Sequence, residues 1–476
     1  CSLLASSSSS SSSSTGSQTL TFSSSFVSSL TSSASSTTAA ASSSSSSSSP
    51  SINDNNHIHN NRNTGMMKSI VYGPANEPVW KNSRPIPRCG KDQVLVRVHA
   101  VGLNPVDAKG VIGDKLPNGW TTLQSLARRC VVQSKVIGFD FAGVVEETNS
   151  SNSKGTFVPG DRVYGILPPS RYDGTLQEHI TVSVDQLARV PDTLPLTQAA
   201  ALPLVGITAL QCLQGAGWGQ PPPHTSDDDD NNNSNSNKKL LVIGASGGTG
   251  HVAVQIGQCL QPQAQVVAVC SARNANFVRN LMTGSSEDNN KSKQQPKITI
   301  LDYHADDFEQ QLQAAGPFDV VMDCVTSGDP RDQATLDYRK LLLSDNRFIS
   351  PHGQYRRLGG FFPDWCRASI ERVTGVHSVW SNPSAKLFWI QMHQAAPALE
   401  QLADWISQGT LQGAHVAQTV PFTPQGVQQG FEALLGRRVV GKVVVEFPSP
   451  EDNTQSETDD TVQPSRTKGQ DDKKQS

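Results

Sequence analysis

The chain has 476 residues and a formal net charge of −3, from 39 basic and 42 acidic side chains. No basic stripe stands out, which argues against nucleic acid as a partner. No apolar run approaches the roughly 20 residues that cross a bilayer, which leaves at most a peripheral membrane contact.

The eight cysteines are scattered and include no CxxC pair. Neither a disulfide framework nor a structural zinc lobe is expected, and the thiols suit a reducing compartment.

The first 53 residues carry no charge and are dominated by serine and threonine. Such a stretch cannot offset roughly 1–2 kcal/mol of backbone entropy per ordered residue, so residues 1–65 are expected to be disordered. They read either as an organelle-targeting segment or as a low-complexity extension; they are acid-poor but also lack the arginines of a mitochondrial leader. The chain begins with Cys1, and Met66 or Met67 offers an alternative start. The polar tail 449–476 is likewise expected to be disordered.

A folded pattern begins at residue 66. Residues 93–101 (QVLVRVHAV) alternate apolar and polar side chains, as a half-buried strand does. Further short β-rich runs at 143–147, 160–167 and 179–184, punctuated by glycine and proline, predict an antiparallel, barrel-like domain over 66–203. A helical stretch (TQAAALPLVGITALQCLQGAG) follows. After it, strands at 240–245, 265–270, 298–303, 318–324 and 347–350 are spaced by helix-length segments. That alternation predicts a doubly wound parallel sheet over 204–395, with the chain returning to the first domain at 396–448. Two polar low-complexity runs, 221–237 and 284–297, fall between elements, where surface loops carry them at modest entropic cost.

The most informative segment is LLVIGASGGTGHVAVQIGQCL. A buried strand runs into Gly244, Gly247, Gly248 and Gly250 and then directly into an apolar-periodic helix. Glycines there allow a tight turn and let a pyrophosphate approach the free amides at the helix N-terminus. NAD binders place an acidic residue about 20 positions further on, at the ribose hydroxyls. Here Cys270-Ser271-Ala272-Arg273-Asn274 stands in its place, and the next acid is Glu287. A carboxylate would repel a 2′-phosphate, whereas Ser271 and Arg273 can hydrogen-bond it, so NADPH is favoured over NADH. The bland alternative for Arg273 is a solvated loop arginine.

In order along the chain, VRVHAVGLNPVDAKG, VIGFDFAGVV, VPGDRVYGILPP, GTLQEH, QAAALPLVGITAL, GASGGTG and GKVVVEF resemble the medium-chain dehydrogenase/reductases. The resemblance implies a GroES-like catalytic domain, an inserted Rossmann domain and a homodimer. Zinc-dependent members carry cysteine and histidine ligands where this chain has Asn104, Phe139 and about Leu204, and these side chains cannot replace thiolate or imidazole. No metal is therefore expected, and Asn104-Pro105-Val106-Asp107 is similar to the quinone oxidoreductase branch.

Within that branch the likeness extends to one mitochondrial and one chloroplast-envelope member. Residence in an organelle, mitochondrion or plastid, is the expectation, with the cytoplasm as the alternative. The resemblance places Ser246, Gly247, Gly248 and Thr249 at the pyrophosphate, Ser271 and Tyr303 at the adenosine 2′-phosphate, and Thr208 by the nicotinamide. Two departures bear on the ribose. The 284–297 insertion replaces the family's usual step before the third strand, and Asp323-Cys324-Val325-Thr326-Ser327 lacks its glycine pair.

The reading that follows is NADPH-dependent reduction of a quinone or enone, which needs less Lewis-acid help than a simple ketone. A developing oxyanion could take hydrogen bonds from the Asn104 amide, a hydroxyl or water. His99 is read as structural, Tyr172 as a surface residue that could alternatively face substrate, and Asp107 as orienting backbone. The rivals are an enoyl-thioester reductase of the same fold, whose usual tyrosine is absent from 109–115, and a cofactor-binding protein without turnover.

Overall fold

The computed structural model describes residues 65–74, 77–111, 135–149, 157–168, 173–220, 238–282, 298–325, 337–345, 347–359, 385–392 and 395–448. All belong to the unit Arg62–Ser476. Apart from Gly65, the expected tails and both low-complexity insertions lie outside the described residues.

The first part of the chain builds the barrel-like half. Strands β1 (Met66–Tyr72) and β2 (Pro78–Pro85) form an antiparallel pair. Strand β3 (Gln93–Leu103) is the spine of a second sheet, because its run of valines fits a pleated surface with neighbours on both edges. It pairs antiparallel with β4 (Asp140–Thr148), with β6 (His179–Ser183) and with the last strand, β15 (Lys442–Glu446). With β5 (Arg162–Ile166), β7 (Leu187–Arg189) and β14 (Val416–Pro421), the order is β14-β15-β3-β4-β5-β7, with β6 beside β3. The barrel interior is filled by Val94, Val96, Val98, Phe141, Val163, Ile180, Phe431 and Val443.

Helix α1 (Pro105–Val111) follows β3 directly. The stretch expected to be one helix is two, α2 (Leu196–Ala200) and α3 (Pro203–Gly215). Pro203 has no amide hydrogen to continue α2, but its fixed φ suits the first position of a new helix.

The parallel sheet has the order β10-β9-β8-β11-β12-β13. Its strands are β8 (Lys239–Ile243), β9 (Gln265–Cys270), β10 (Ile298–Asp302), β11 (Phe318–Asp323), β12 (Ile349–Arg357) and β13 (Ala385–Leu387). Helices α4 (Gly250–Leu260), α5 (Ala275–Asn280), α6 (Phe308–Ala315) and α7 (Tyr338–Leu343) alternate with them. This is the doubly wound order, with the reversal between β8 and β11. Strand β12 begins later and runs further than the 347–350 expected, with Tyr355, Arg356 and Arg357 at its end buried inside the domain.

Leu240, Leu241, Val242 and Ile243 of β8 are all fully buried, which anchors the strand before the glycine loop. Each such side chain contributes roughly 1.5–3 kcal/mol on leaving water. The chain then passes through α8 (Ala395–Ser407), β14 and α9 (Pro424–Leu435) to β15. One core continues across both halves: Ala100, Ala142 and Tyr164 from the barrel pack with α3, α4 and α8. The Tyr164 hydroxyl donates to the Leu399 carbonyl at 2.6 Å, across that junction.

Candidate functional site

The glycine loop sits at the reversal point of the parallel sheet, between β8 and α4. Gly244 has φ +78°, a conformation that side chains with a Cβ rarely adopt. At Gly250 a Cβ would lie 2.1 Å from the Gly244 carbonyl oxygen, so the first turn of α4 closes on the end of β8 only without one. Gly247 and Gly248 are less confined, with added Cβ atoms 3.3 Å from Gly244 O and 3.4 Å from Gly441 O. Ser246 and Thr249 are partly exposed in the same loop.

The turn after β9 is tied to this loop. Asn274 Nδ2 donates to Ser246 Oγ at 3.0 Å, and the Asn274 amide donates to the Ser271 carbonyl at 2.9 Å. Ser271 is 7% exposed, yet its hydroxyl finds no hydrogen-bond partner among the described residues. A buried hydroxyl without a partner is costly, so such a group marks a place where a polar ligand or water belongs. Arg273 is exposed beside it. Tyr303 follows β10, whose Asp302 pairs with Cys270 of β9, so Ser271 and Tyr303 leave the same edge of adjacent strands. The Tyr303 ring is exposed and packs against His304, with centroids 4.2 Å apart.

Facing the loop from the barrel is a buried polar centre. Asn104 is 1% exposed and completely engaged. Its Nδ2 donates to Asp140 Oδ2 at 2.9 Å and to the Gly102 carbonyl at 3.2 Å, and its Oδ1 accepts from Lys442 Nζ at 2.5 Å. Both hydrogens of the carboxamide are therefore committed inside the protein, and in this arrangement it has none to offer a developing oxyanion. Lys442 Nζ also donates to Leu103 O at 3.1 Å and to Asp140 Oδ2 at 3.3 Å. The other oxygen of Asp140 accepts the Leu204 amide at 2.8 Å, at the start of α3. Thr208, one turn along α3, is partly exposed.

Asp107 Oδ2 accepts the Asn104 amide at 2.8 Å, the backbone-orienting role expected for it, while its Oδ1 has no partner among the described residues. The centre thus holds two buried carboxylates and one ammonium. Burial pushes the Asp107 carboxyl up to about 7, with the Asn104 amide opposing and Asp140 adding to it. Burial also raises Asp140, against the pull of Lys442 and Asn104.

His251, the first residue after Gly250, links the two halves. Its Nδ1–H donates to the Gly247 carbonyl at 2.8 Å, and its Nε2 accepts the His415 amide at 2.9 Å. These two bonds require the neutral imidazole. Burial holds it near about 4, well below the ordinary 6.5. Sequence reasoning did not single out Lys442, Asp140, Asn274 or His251 as site residues. All four stood in quoted segments, but the partners of Lys442 and one of the two partners of His251, the His415 amide, are remote in sequence.

His99 interrupts the pairing of β3 with β4, where the register shifts between Val98 and Ala100. Burial holds its imidazole near about 4, and it lines a separate groove of about 1030 Å³ with Phe422 and Phe447. Tyr172 and residues 112–115 lie outside the described residues. Among the described residues no group of three or more His, Cys, Asp and Glu side chains is placed to hold a metal ion. No described helix is long and apolar enough to cross a membrane.

Two family models match the chain. The alcohol dehydrogenase GroES-like domain covers residues 90–192 and the zinc-binding dehydrogenase covers residues 298–445. Human NAD(P)H oxidoreductase RTN4IP1, mitochondrial, is 26% identical over 374 residues, spanning 74% of this chain and 81% of that protein. The trans-enoyl reductase pgmF of Aspergillus terreus is 27% identical over 381 residues, 77% of this chain and 90% of its own. Among solved structures, the quinone oxidoreductase from Coxiella burnetii superposes with a TM-score of 0.56 at 23% identity, covering 80% of this chain and 99% of that one. At that identity the superposition speaks for the fold.

Proposed function

We propose that this chain, which belongs to the medium-chain dehydrogenase/reductase superfamily, is an NADPH-dependent oxidoreductase that reduces a quinone or an α,β-unsaturated carbonyl without zinc. The observation that carries the coenzyme is the Ser271 hydroxyl, buried and without a partner among the described residues, beside the glycine loop. No carboxylate stands in the turn 271–274 to repel a 2′-phosphate. Ser271, Arg273 and Tyr303 would hold that phosphate. Ser246, Gly247, Gly248 and Thr249 would take the pyrophosphate at the N-terminus of α4. Thr208 would face the nicotinamide.

When bound, the coenzyme supplies the hydride. The protein's own part is to place the acceptor, exclude water and stabilise developing charge. Because the Asn104 hydrogens are committed internally, its role in this reading is to position neighbouring segments. The hydrogen bond to a developing oxyanion then falls to a hydroxyl such as that of Thr208, or to water. Asn104, Phe139 and Leu204 do not fit a zinc ion. The amide is saturated by protein partners, and the other two side chains offer no donor atom. The same reading takes the protein to be a homodimer.

A second reading, reduction of an enoyl thioester, is supported by the similarity to the Aspergillus terreus trans-enoyl reductase. The test is coenzyme oxidation by the full chain with a quinone, an acyclic enone and an enoyl thioester, in the presence of a metal chelator. Turnover with NADPH on the first two, much weaker with NADH, is expected. Turnover confined to the thioester would move the second reading to the front. Tight binding without turnover on any acceptor would overturn both.

A further inference from the structure

Three segments that the reading above places around the coenzyme site come from distant parts of the chain. They are the glycine loop, the first turns of α3 with Thr208, and the Asn104 turn. Nothing in their own sequences holds them at one spacing, but one residue touches two of them and reaches the third through Asp140. Lys442 is 2% exposed. Its backbone neighbour is bonded to the glycine loop, the Gly441 amide donating to Ser246 O at 3.0 Å. The aliphatic stem lies against the loop as well, with Lys442 Cδ 3.4 Å from where a Cβ on Gly248 would stand.

The ammonium spends its three hydrogens on Leu103 O, Asn104 Oδ1 and Asp140 Oδ2. Asp140 passes the connection on by accepting the Leu204 amide at the N-terminal end of α3. The main chain beside Lys442 and its stem thus meet the glycine loop, and its charged head meets the Asn104 turn and, through Asp140, the start of α3.

We propose that Lys442 is a positioning residue that registers the glycine loop, α3 and the Asn104 turn against one another before the nucleotide arrives. The proposal rests on the NADPH reading and names a further residue for that site. The ammonium, with every hydrogen committed to protein acceptors, acts through these contacts and does not touch the phosphates.

The test uses the full chain with Lys442→Met, which keeps the stem and removes the charge, and the charge-balanced double variant Asp140→Asn/Lys442→Met. Asn at position 140 retains an oxygen to accept the Leu204 amide. Three quantities are read: the melting temperature without coenzyme, the NADPH dissociation constant by quenching of tryptophan fluorescence, and KM against kcat. Lys442→Met is expected to lower the melting temperature and to weaken NADPH binding at least tenfold, with a larger change in KM for NADPH than in kcat. The double variant is expected to recover most of the melting temperature while its NADPH affinity stays at least tenfold weak.

Recovery of affinity together with melting temperature would reduce Lys442 to a fold-stabilising residue and overturn the proposal. Wild-type affinity in both variants would do the same. If the unsubstituted chain bound neither NADPH nor NADH, the functional reading would fall and this inference with it. A failure of the inference alone shows instead as tight binding in the unsubstituted chain and the double variant alike.

Discussion

Replacing His251 by glutamine and Asp107 by asparagine should tilt the pH dependence of stability in opposite directions. His251 is held near about 4 in the folded protein against an ordinary 6.5, so between those values the unfolded chain takes up a proton that the folded one refuses. Its contribution is therefore retained above pH 6.5 and lost as the pH falls towards 4. Asp107 is raised to about 7 from 3.8, so the folded protein keeps a proton that the unfolded chain has released. Its contribution is present at low pH and lost as the pH rises through 7. Applying linkage to each, His251 makes the protein about 2 kcal/mol less stable at pH 5 than at pH 7, and Asp107 makes it about 2 kcal/mol more stable.

The two nearly cancel in the unsubstituted chain. Chemical unfolding at both pH values then separates them. His251→Gln should raise stability at pH 5 relative to pH 7 by about 2 kcal/mol compared with the parent, and Asp107→Asn should lower it by a similar amount. His99, whose shift acts in the same sense as that of His251, is present throughout and drops out of the comparison. Variants that kept the parent's pH slope while losing stability uniformly would refute the titration argument.

Ser271→Ala should weaken NADPH binding about tenfold and leave NADH unaffected, since one charge-assisted bond is worth about 1.5–3 kcal/mol. Competitive titration of the two coenzymes checks it. Gly250→Ala would place its methyl carbon 2.1 Å from the Gly244 carbonyl oxygen, so the loop must shift. A loss of NADPH affinity of about a hundredfold or more by calorimetry is expected from a displaced phosphate cradle. Gln255→Leu would strand the Gln412 amide and the Gly413 carbonyl, which Gln255 now satisfies at 2.9 and 3.1 Å. It should cost about 2–4 kcal/mol and raise hydrogen exchange at 411–416 more than in β9 or β11.

The parallel sheet and its glycine loop were legible because their signals are local. A run of apolar residues, a spaced set of glycines and an apolar-periodic helix occupy some twenty consecutive positions. What escaped was polar and buried. HGQYRR reads as surface, yet it lies in β12, where Tyr355 donates to Asp323 at 2.5 Å and Arg356 to the Gly215 carbonyl at 3.1 Å. Lysine in GKVVVEF reads as a solvated strand end, but its partners Asn104 and Asp140 stand more than three hundred positions earlier. Asn104 was legible as a site residue, whereas the commitment of both its hydrogens is visible only once β3, β4 and β15 are side by side. The break before Pro203 was available in the sequence, since proline cannot continue a helix, but the apolar periodicity on both sides concealed it.

Stability alone does not account for the buried centre. Taking an ammonium and two carboxylates out of water costs several kcal/mol per ion, and well-packed apolar replacements for such sets are often neutral or stabilising. The centre repays part of that cost by complete satisfaction of Lys442, Asn104 and Asp140, whose hydrogen-bonding atoms meet protein partners. An apolar core of equal volume could hold the halves together but could not fix their separation as closely, because apolar contacts are non-directional and hydrogen bonds are not. A cleft that must present a phosphate cradle and a nicotinamide wall from different parts of the chain needs that directional constraint. The loop side of the joint is built in the same way, through Gly441 to Ser246 and through His251 to both Gly247 and His415. The buried charges are therefore better explained as the means by which β15 sets the geometry of the nucleotide cleft than as a source of folding free energy.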